Sequence, residues 1–375
     1  MTWDGDLLKA GIDSDGKNVD ILDGNFTANN FPSMAHRTIY VDSNNGLDTY
    51  TGNSPDKAKA TIQAAVDIAN SAAYATKNVD ILVLGVLYSE NVNFSRAGTE
   101  LTDAAMLWQA GGTNVGKIGK IRLIAVGYVW LAGALTVAQP TISISRPNVE
   151  IHNFSTIKCL VTDTDSIKKG NWTFAEGGTS VHMQMPVIGF DDNYNYNHDG
   201  AGGGTLLNGA ANACLVNNCR INGGTGGGGI LNNGGNWIYA TNCLVEYFTE
   251  YGIGHVASSK GKPAENLIQN ANFHQLNASA TCIMHDAAVI LWADQIRCWD
   301  EDPGGGGTAG LLQKRTGGTN AQFSWITNVY CHDTADLDGN NSGFMAAQVY
   351  SATDGGPQGC DLSGTTWRYG NALTA

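Results

Sequence analysis

Charge is what this sequence most conspicuously lacks. Asp, Glu, Lys and Arg make up 15% of its 375 residues, against about 25% in an ordinary globular chain. Helical bundles clothe their outer faces in charged residues, so a bundle does not fit. Basic residues are the scarcer sign: 21 Lys and Arg stand against 34 Asp and Glu, a formal net charge of −13. That balance argues against nucleic acid as a partner and against binding to an anionic membrane surface. No stretch reaches the ~18 consecutive apolar residues of a membrane-spanning helix. The opening Met1-Thr2-Trp3-Asp4-Gly5-Asp6 has neither a basic start nor an apolar core, so no secretory signal is expected. The eight cysteines contain no CxxC pair and no zinc spacing; most read as small buried hydrophobes in a reducing compartment. Asp13-Ser14-Asp15-Gly16-Lys17-Asn18 begins like a calcium loop, but the twelfth loop position is Gly24 where Glu is required. No metal and no cofactor is expected.

Glycine, by contrast, is abundant, at 48 residues, without the three-residue period of collagen. Between Asn212 and Gly254 the residue order repeats itself. Cys214-Leu215-Val216-Asn217-Asn218-Cys219 is echoed by Ile238-Tyr239-Ala240-Thr241-Asn242-Cys243, and Asn218 and Asn242 are 24 residues apart. That spacing belongs to a solenoid repeat. Anchoring on the Asn extends the series to Asn153 upstream and to Asn270, Asp294 and Asn328 downstream, with Asp standing for Asn at 294. Two positions before each anchor comes an apolar residue: Ile151, Val216, Ala240, Ile268, Trp292 or Ile326. A further apolar residue follows 11 to 13 later at Ile230, Ile253 and Ile283. Each line therefore reads as a short strand with alternate residues in a core. An Asn amide is both donor and acceptor. Asn153, Asn218, Asn242, Asn270, Asp294 and Asn328 are accordingly expected as a stacked ladder on the inside of a turn.

From Thr38 onward a different organisation precedes the repeats. Thr38-Ile39-Tyr40-Val41-Asp42 reads as a strand, and Val79-Asp80-Ile81-Leu82-Val83-Leu84 as a buried one. Between them Ile62, Ala65, Val66 and Ala69 share one face of a helix over 61–70. Tyr40-Val41-Asp42, Asn45-Gly46-Leu47-Asp48, Gly52, Thr61-Ile62-Gln63-Ala64-Ala65-Val66, Gly85, Tyr88, Glu90 and Val92 resemble the opening of pectin-lyase-like right-handed parallel β-helix proteins. The resemblance implies an all-β fold: a right-handed parallel β-helix, a pectin-lyase-like solenoid with a short N-terminal capping helix and lateral loops. A cap suits a solenoid, whose end otherwise exposes its core and strand edges. The expected layout is an N-terminal arm over 1–36, then a β-helix domain over 37–375. Within that domain the cap spans 37–95, the rungs 117–375 and a lateral loop 162–204.

This superfamily includes lyases, hydrolases, esterases and inert virion proteins, so the fold leaves the reaction open. A polygalacturonase-like site would show Asn-Thr-Asp, a paired Asp, Gly-His-Gly and Arg-Ile-Lys in order. Here Asp191-Asp192 occurs, and Gly254-His255-Val256 matches two positions of three. No residue is assigned a catalytic role. Were the chain a polysaccharide lyase or glycoside hydrolase, Asp191, Asp192, Asp300 and His255 would carry the chemistry. The polar opening, the Gly-rich stack and the aromatic side loops resemble β-helix proteins of tailed-bacteriophage particles. That resemblance implies a virion protein, assembled in the host cytoplasm and placed on the particle exterior, as a capsid decoration protein or head spike. It implies a homotrimer whose arm grips the major capsid protein or another virion protein, with a host glycan as a further partner. Phe190, Tyr194, Tyr196 and Trp299 are the expected interface anchors. A tailspike, or an enzyme acting on acidic polysaccharide, is the competing reading.

Overall fold

The computed structural model describes residues 36–71, 73–74, 77–94, 119–133, 140–159, 173–176, 179–182, 187–191, 211, 213–223, 228–233, 237–248, 251–256, 266–275, 281–286, 291–300, 310–315, 324–332, 336–337, 344–351 and 367–368. The chain winds as a right-handed parallel β-helix with three faces. The first face runs from His36–Asp42 through Asn78–Leu84, Ile121–Ala125, Val149–His152, Cys214–Asn217 and Ile238–Thr241. It continues through the first parts of Asn266–Gln275, Leu291–Asp300, Ser324–His332 and Phe344–Ser351 to Trp367–Arg368. The second face carries Leu87–Ser89, Trp130–Gly133, Thr156–Cys159, Arg220–Asn222, Leu244–Phe248 and the remaining parts of those four long strands. The third face runs from Val92–Phe94 through Ile142–Ile144, Ile188–Asp191, Ile230–Asn233, Tyr251–Val256, Thr281–Asp286 and Gly310–Arg315 to Asp336–Leu337. Strands within each face pair in parallel, so successive coils are about 4.8 Å apart.

Alternation along each strand selects the core. On the first face Ile39, Ile81, Leu123, Ile151, Val216, Ala240, Ile268, Ala293 and Ile326 fall in one register row, and all are buried. Ile142, Ile188, Ile230, Ile253 and Ile283 form the matching row of the third face. Stacking like on like lets each coil bury its apolar side on the next, which no coil could do alone.

The helix Ile62–Asn70 covers the N-terminal end, with Ile62, Ala65, Val66 and Ala69 buried. The motif residues that carried the family resemblance build this cap. Thr61 is the N-cap, its hydroxyl accepting from Ala64 N at 3.2 Å. The Glu90 carboxylate accepts from Ile62 N at 2.8 Å and Gln63 N at 2.9 Å, two amides the helix itself leaves open. Asp48 accepts from Ala60 N and Thr61 N, each at 2.9 Å. Tyr88 donates its hydroxyl to Leu84 O. Burial pushes the Tyr88 phenol up to about 12, so it stays a donor.

Two expectations need correction. The lateral excursion is narrower than 162–204: Ile188–Asp191 returns to the third face between Ile142–Ile144 and Ile230–Asn233. An antiparallel ribbon, Thr173–Glu176 with Thr179–His182, lies within the excursion. The anchor column also differs at one coil. Asn153, Asn218, Asn242, Asn270 and Asn328 share a left-handed backbone with φ of 50 to 63°, but in the intervening coil that residue is Gln295, at φ 57°. Asp294 pairs instead with Gln269 and Thr327, and Ala293 rather than Trp292 takes the inward position. A one-residue slip reverses the faces of a strand, so Trp292 lies outside.

The anchors are also exposed, at the outer edge of the corner between the first and second faces. Asn218 Nδ2 donates to Asn153 Oδ1 at 3.0 Å and Asn270 Nδ2 to Asn242 Oδ1 at 2.7 Å. Asn242 Nδ2 reaches Asn217 Oδ1, and Asn328 Nδ2 reaches Asp294 Oδ1. A buried ladder is therefore replaced by a solvated, interrupted one, and backbone conformation is the stronger reason for Asn. The left-handed region costs most L residues about 1–2 kcal/mol, and Asn and Gly least. Asn242→Leu should lower the unfolding free energy by about 1–2 kcal/mol, while Asn242→Gly should change it by only a few tenths. Equal losses in the two variants, measured by chemical denaturation, would return the leading role to the amide.

Candidate interaction surface and a buried polar column

One outward row of the first face lies three residues before each corner: Asp80, Arg122, Glu150, Leu215, Tyr239, Leu267, Trp292 and Trp325. Its character changes along the axis. The N-terminal half is ionic. Arg122 grips Asp80 with Nε and Nη2 at 2.5 and 2.7 Å, the two-pronged geometry that suits guanidinium and carboxylate. In the next coil Lys120 pairs with Glu150, and His152 Nε2 lies 3.1 Å from the other Glu150 oxygen. Asn217 Oδ1 accepts from Thr241 Oγ1 and Asn242 Nδ2, each at 2.9 Å. Its Nδ2 therefore faces His152 Nδ1, 3.4 Å away, and the His152 proton sits on Nε2 toward Glu150. The His152 hydrogen bond and Lys120 bring the Glu150 carboxyl down to about 2. Glu150 thus remains an anion, and both His152 nitrogens are engaged. The cluster holds the Glu150 charge in place.

Past Leu215 the row turns apolar. Trp292 is 52% exposed and stacks on Trp325 with ring centroids 6.1 Å apart and planes at 18°. Tyr239 and Leu267 continue the row toward the ionic half, half-buried, and the register extends it to Met345 and Trp367. A second apolar patch lies at the corner of the early coils, where Val86, Leu87, Val126 and Tyr128 are all exposed. Isolated exposed apolar residues are common; contiguous ones mark contact surfaces.

Inside the helix the third face holds a column of the opposite kind. One register row reads Phe94, Ile144, Phe190, Asn232, His255, His285 and Lys314, of which Phe94, Ile144, Asn232 and His255 are buried. It changes from apolar to polar at Asn232. Asn232 and His255 are buried, as is Asn266, whose Oδ1 accepts from Ile238 N at 3.1 Å. Asn232 Nδ2 lies 3.1 Å from both Asn266 Oδ1 and His255 Nδ1. Burial depresses the His255 imidazole to about 3, so the ring is neutral.

The residues singled out from sequence as catalytic are not brought together. His255 is sealed in the core at 1% exposure and cannot meet a polymer substrate. Asp191 closes a third-face strand, and Asp300 closes a second-face strand four coils later. At about 4.8 Å per coil they are roughly 19 Å apart along the axis, beyond the ~9.5 Å limit for a hydrolytic carboxylate pair. Asp192, Tyr194 and Tyr196 lie outside the described residues. Phe190 takes a third-face register position between Ile144 and Asn232. Trp299 takes a second-face register position beside His274. Among the described residues no three His, Cys, Asp or Glu side chains cluster as a metal site, and no helix is long and apolar enough to cross a membrane. Sequence reading missed the aromatic row and the polar column. Both carry a signal: the residue three before each corner, and the residue two after each third-face aliphatic, as in Ile230-x-Asn232 and Ile253-x-His255.

No family profile matches the chain, and no curated protein matches it. Among solved structures it is similar to the pectin methylesterase from Aspergillus niger, at 11% identity and a TM-score of 0.46 over 90% of each chain. It is similar to pectate lyase Pel9A at 12% identity and a TM-score of 0.41, over 85% of this chain and 77% of that one. It is also similar to the Dettilon tailspike protein gp208, at 9% identity and a TM-score of 0.30, over 88% of this chain and 71% of that one.

Proposed function

We propose that this pectin-lyase-like parallel β-helix is a structural protein on the exterior of a tailed-bacteriophage particle, a homotrimer that decorates the capsid. The observation that carries the reading is the outward row of the first face, ionic over Asp80, Arg122 and Glu150 and aromatic from Tyr239 to Trp325. Flat parallel sheets are comfortable when covered. A row of stacked indoles on such a sheet gains most when a partner covers it. Closed cyclic symmetry covers it without building fibres. In this reading the aromatic half faces the sister copies and the ionic half stays in water. The arm, residues 1–36, attaches the trimer to the major capsid protein, and assembly takes place in the host cytoplasm.

Sedimentation of the purified chain at micromolar concentration tests the assembly. The expected species is a trimer, and Trp292→Asp should release folded monomers. A wild-type monomer with an intact fold would sink the proposal. Copy number on purified particles separates the finer readings: many copies fit decoration, a handful fit a tailspike. Release of reducing or unsaturated ends from acidic polysaccharides would point to the enzyme.

A further inference from the structure

The hydrogens of the buried polar column can be assigned from one fixed point. Ile238 N is a backbone donor, so the Asn266 atom 3.1 Å from it is the carbonyl oxygen. That oxygen lies 3.1 Å from an Asn232 side-chain atom, which must then be the amide nitrogen. The same nitrogen lies 3.1 Å from His255 Nδ1, which must accept. A neutral imidazole that accepts at Nδ1 carries its proton at Nε2. Two sets of N–H groups are left over, at His255 Nε2 and Asn266 Nδ2. Both atoms are buried, and among the described residues neither has a hydrogen-bond partner. Asn266 is 0% and His255 1% exposed.

Unmet buried donors cost about 1–3 kcal/mol each, and a native core rarely leaves two on one network. An acceptor is called for. Water accepts, but it brings two hydrogens of its own. Asn266 Oδ1 is already taken by Ile238 N and Asn232 Nδ2, and Ile230, Ile253 and Ile283 in the adjoining row are aliphatic. A monovalent anion accepts without donating.

We propose that the interior of the helix at Asn232, His255 and Asn266 is a binding site for a single monovalent anion of halide size, taken up as the coils close. The anion accepts from His255 Nε2–H and Asn266 Nδ2–H and sets the register of the polar coils on the apolar ones below.

The test uses the full chain. Thermal unfolding is followed in sodium bromide and in sodium fluoride, the poorly dehydrated control, at one ionic strength. The midpoint should rise with bromide by several degrees and then saturate, as a ligand that binds the native state alone requires. Fluoride should leave it unchanged. His255→Phe should abolish the bromide dependence. Should that variant fail to fold, crystals of the wild-type chain grown in bromide give the second measurement. An anomalous peak is expected within hydrogen-bonding distance of His255 Nε2 or Asn266 Nδ2. Superimposable bromide and fluoride curves would overturn the proposal, as would ordinary water density in place of the anomalous peak. An anomalous peak without bromide-dependent stability would mark an adventitious ion only, and would overturn it equally.

Discussion

In buffer free of halide, moving from pH 7 to pH 4 should remove about 3 kcal/mol of stability through one residue, His255. Its ordinary value of 6.5 falls to about 3 in the folded chain because burial disfavours the imidazolium. A depressed base is neutral in the fold and readily protonated in the unfolded chain. Its contribution is therefore intact above pH 6.5 and is lost progressively as pH falls toward 3. Glu150 works in a separate window. Its carboxyl, lowered from 4.5 to about 2, contributes stability above 4.5 that is lost as pH falls toward 2. Between pH 6.5 and 5 His255 therefore dominates. His255→Phe should flatten the unfolding midpoint over that interval while leaving the steeper fall below pH 4.5. A variant with the wild-type slope between pH 6.5 and 5 would assign the linkage to another group.

The second large effect is expected at Gly46. A methyl group there would lie 2.2 Å from Lys59 O and 2.5 Å from Asp42 O, both backbone atoms. Neither oxygen can retreat freely. Lys59 O accepts from Asp42 N, and Asp42 O accepts from Gly46 N, each at 2.8 Å. Gly46→Ala must therefore pull apart the turn that positions Asp48 beneath the start of the capping helix. The loss should be about 3 kcal/mol or more, at the upper end for overpacking. Gly127 is the control. Its φ of +87° strains any side chain, but an added methyl meets nothing within 4 Å, so Gly127→Ala should cost only about 1–2 kcal/mol. Equal midpoints for the two variants in chemical denaturation would rule out the close approach as the cause.

The capping segment was the most legible part of the sequence, because its motif residues act locally. Asp48, Thr61 and Glu90 serve backbone amides of one helix end, and Ile62, Ala65, Val66 and Ala69 lie at helical spacing. The third-face row of Ile230, Ile253 and Ile283 was equally plain, since identical side chains repeat at the coil period. The anchor series misled at a single coil. Trp292 and Asp294 look like an apolar residue and an Asn substitute, yet Ala293 and Gln295 hold those positions. In a period-two structure that slip turned the most exposed Trp of the aromatic row into an apparent core residue. The catalytic candidates failed for another reason. Adjacency along the chain says nothing of which coil or face a residue reaches, and Asp191 and Asp300 are separated on both counts. The donors at His255 and Asn266 were beyond sequence reading, since they follow from two contacts of one amide, Asn232, and one of Asn266 with the Ile238 backbone, between separate coils.

The in-register stacking also makes length a quantity this chain can change in whole steps. Cys214–Asn217 and Ile238–Thr241 present the same alternation to their neighbours, and Asn218 and Asn242 turn the same corner. Loss or duplication of the 24 residues between those corners would join like to like on all three faces and move the far end by about 4.8 Å. Most globular folds have no counterpart to such an edit, because their layers meet at unlike surfaces. Recombination within the gene can therefore change the length of the helix by a ratchet of one coil. The N-terminal cap and the contacts around it would not change.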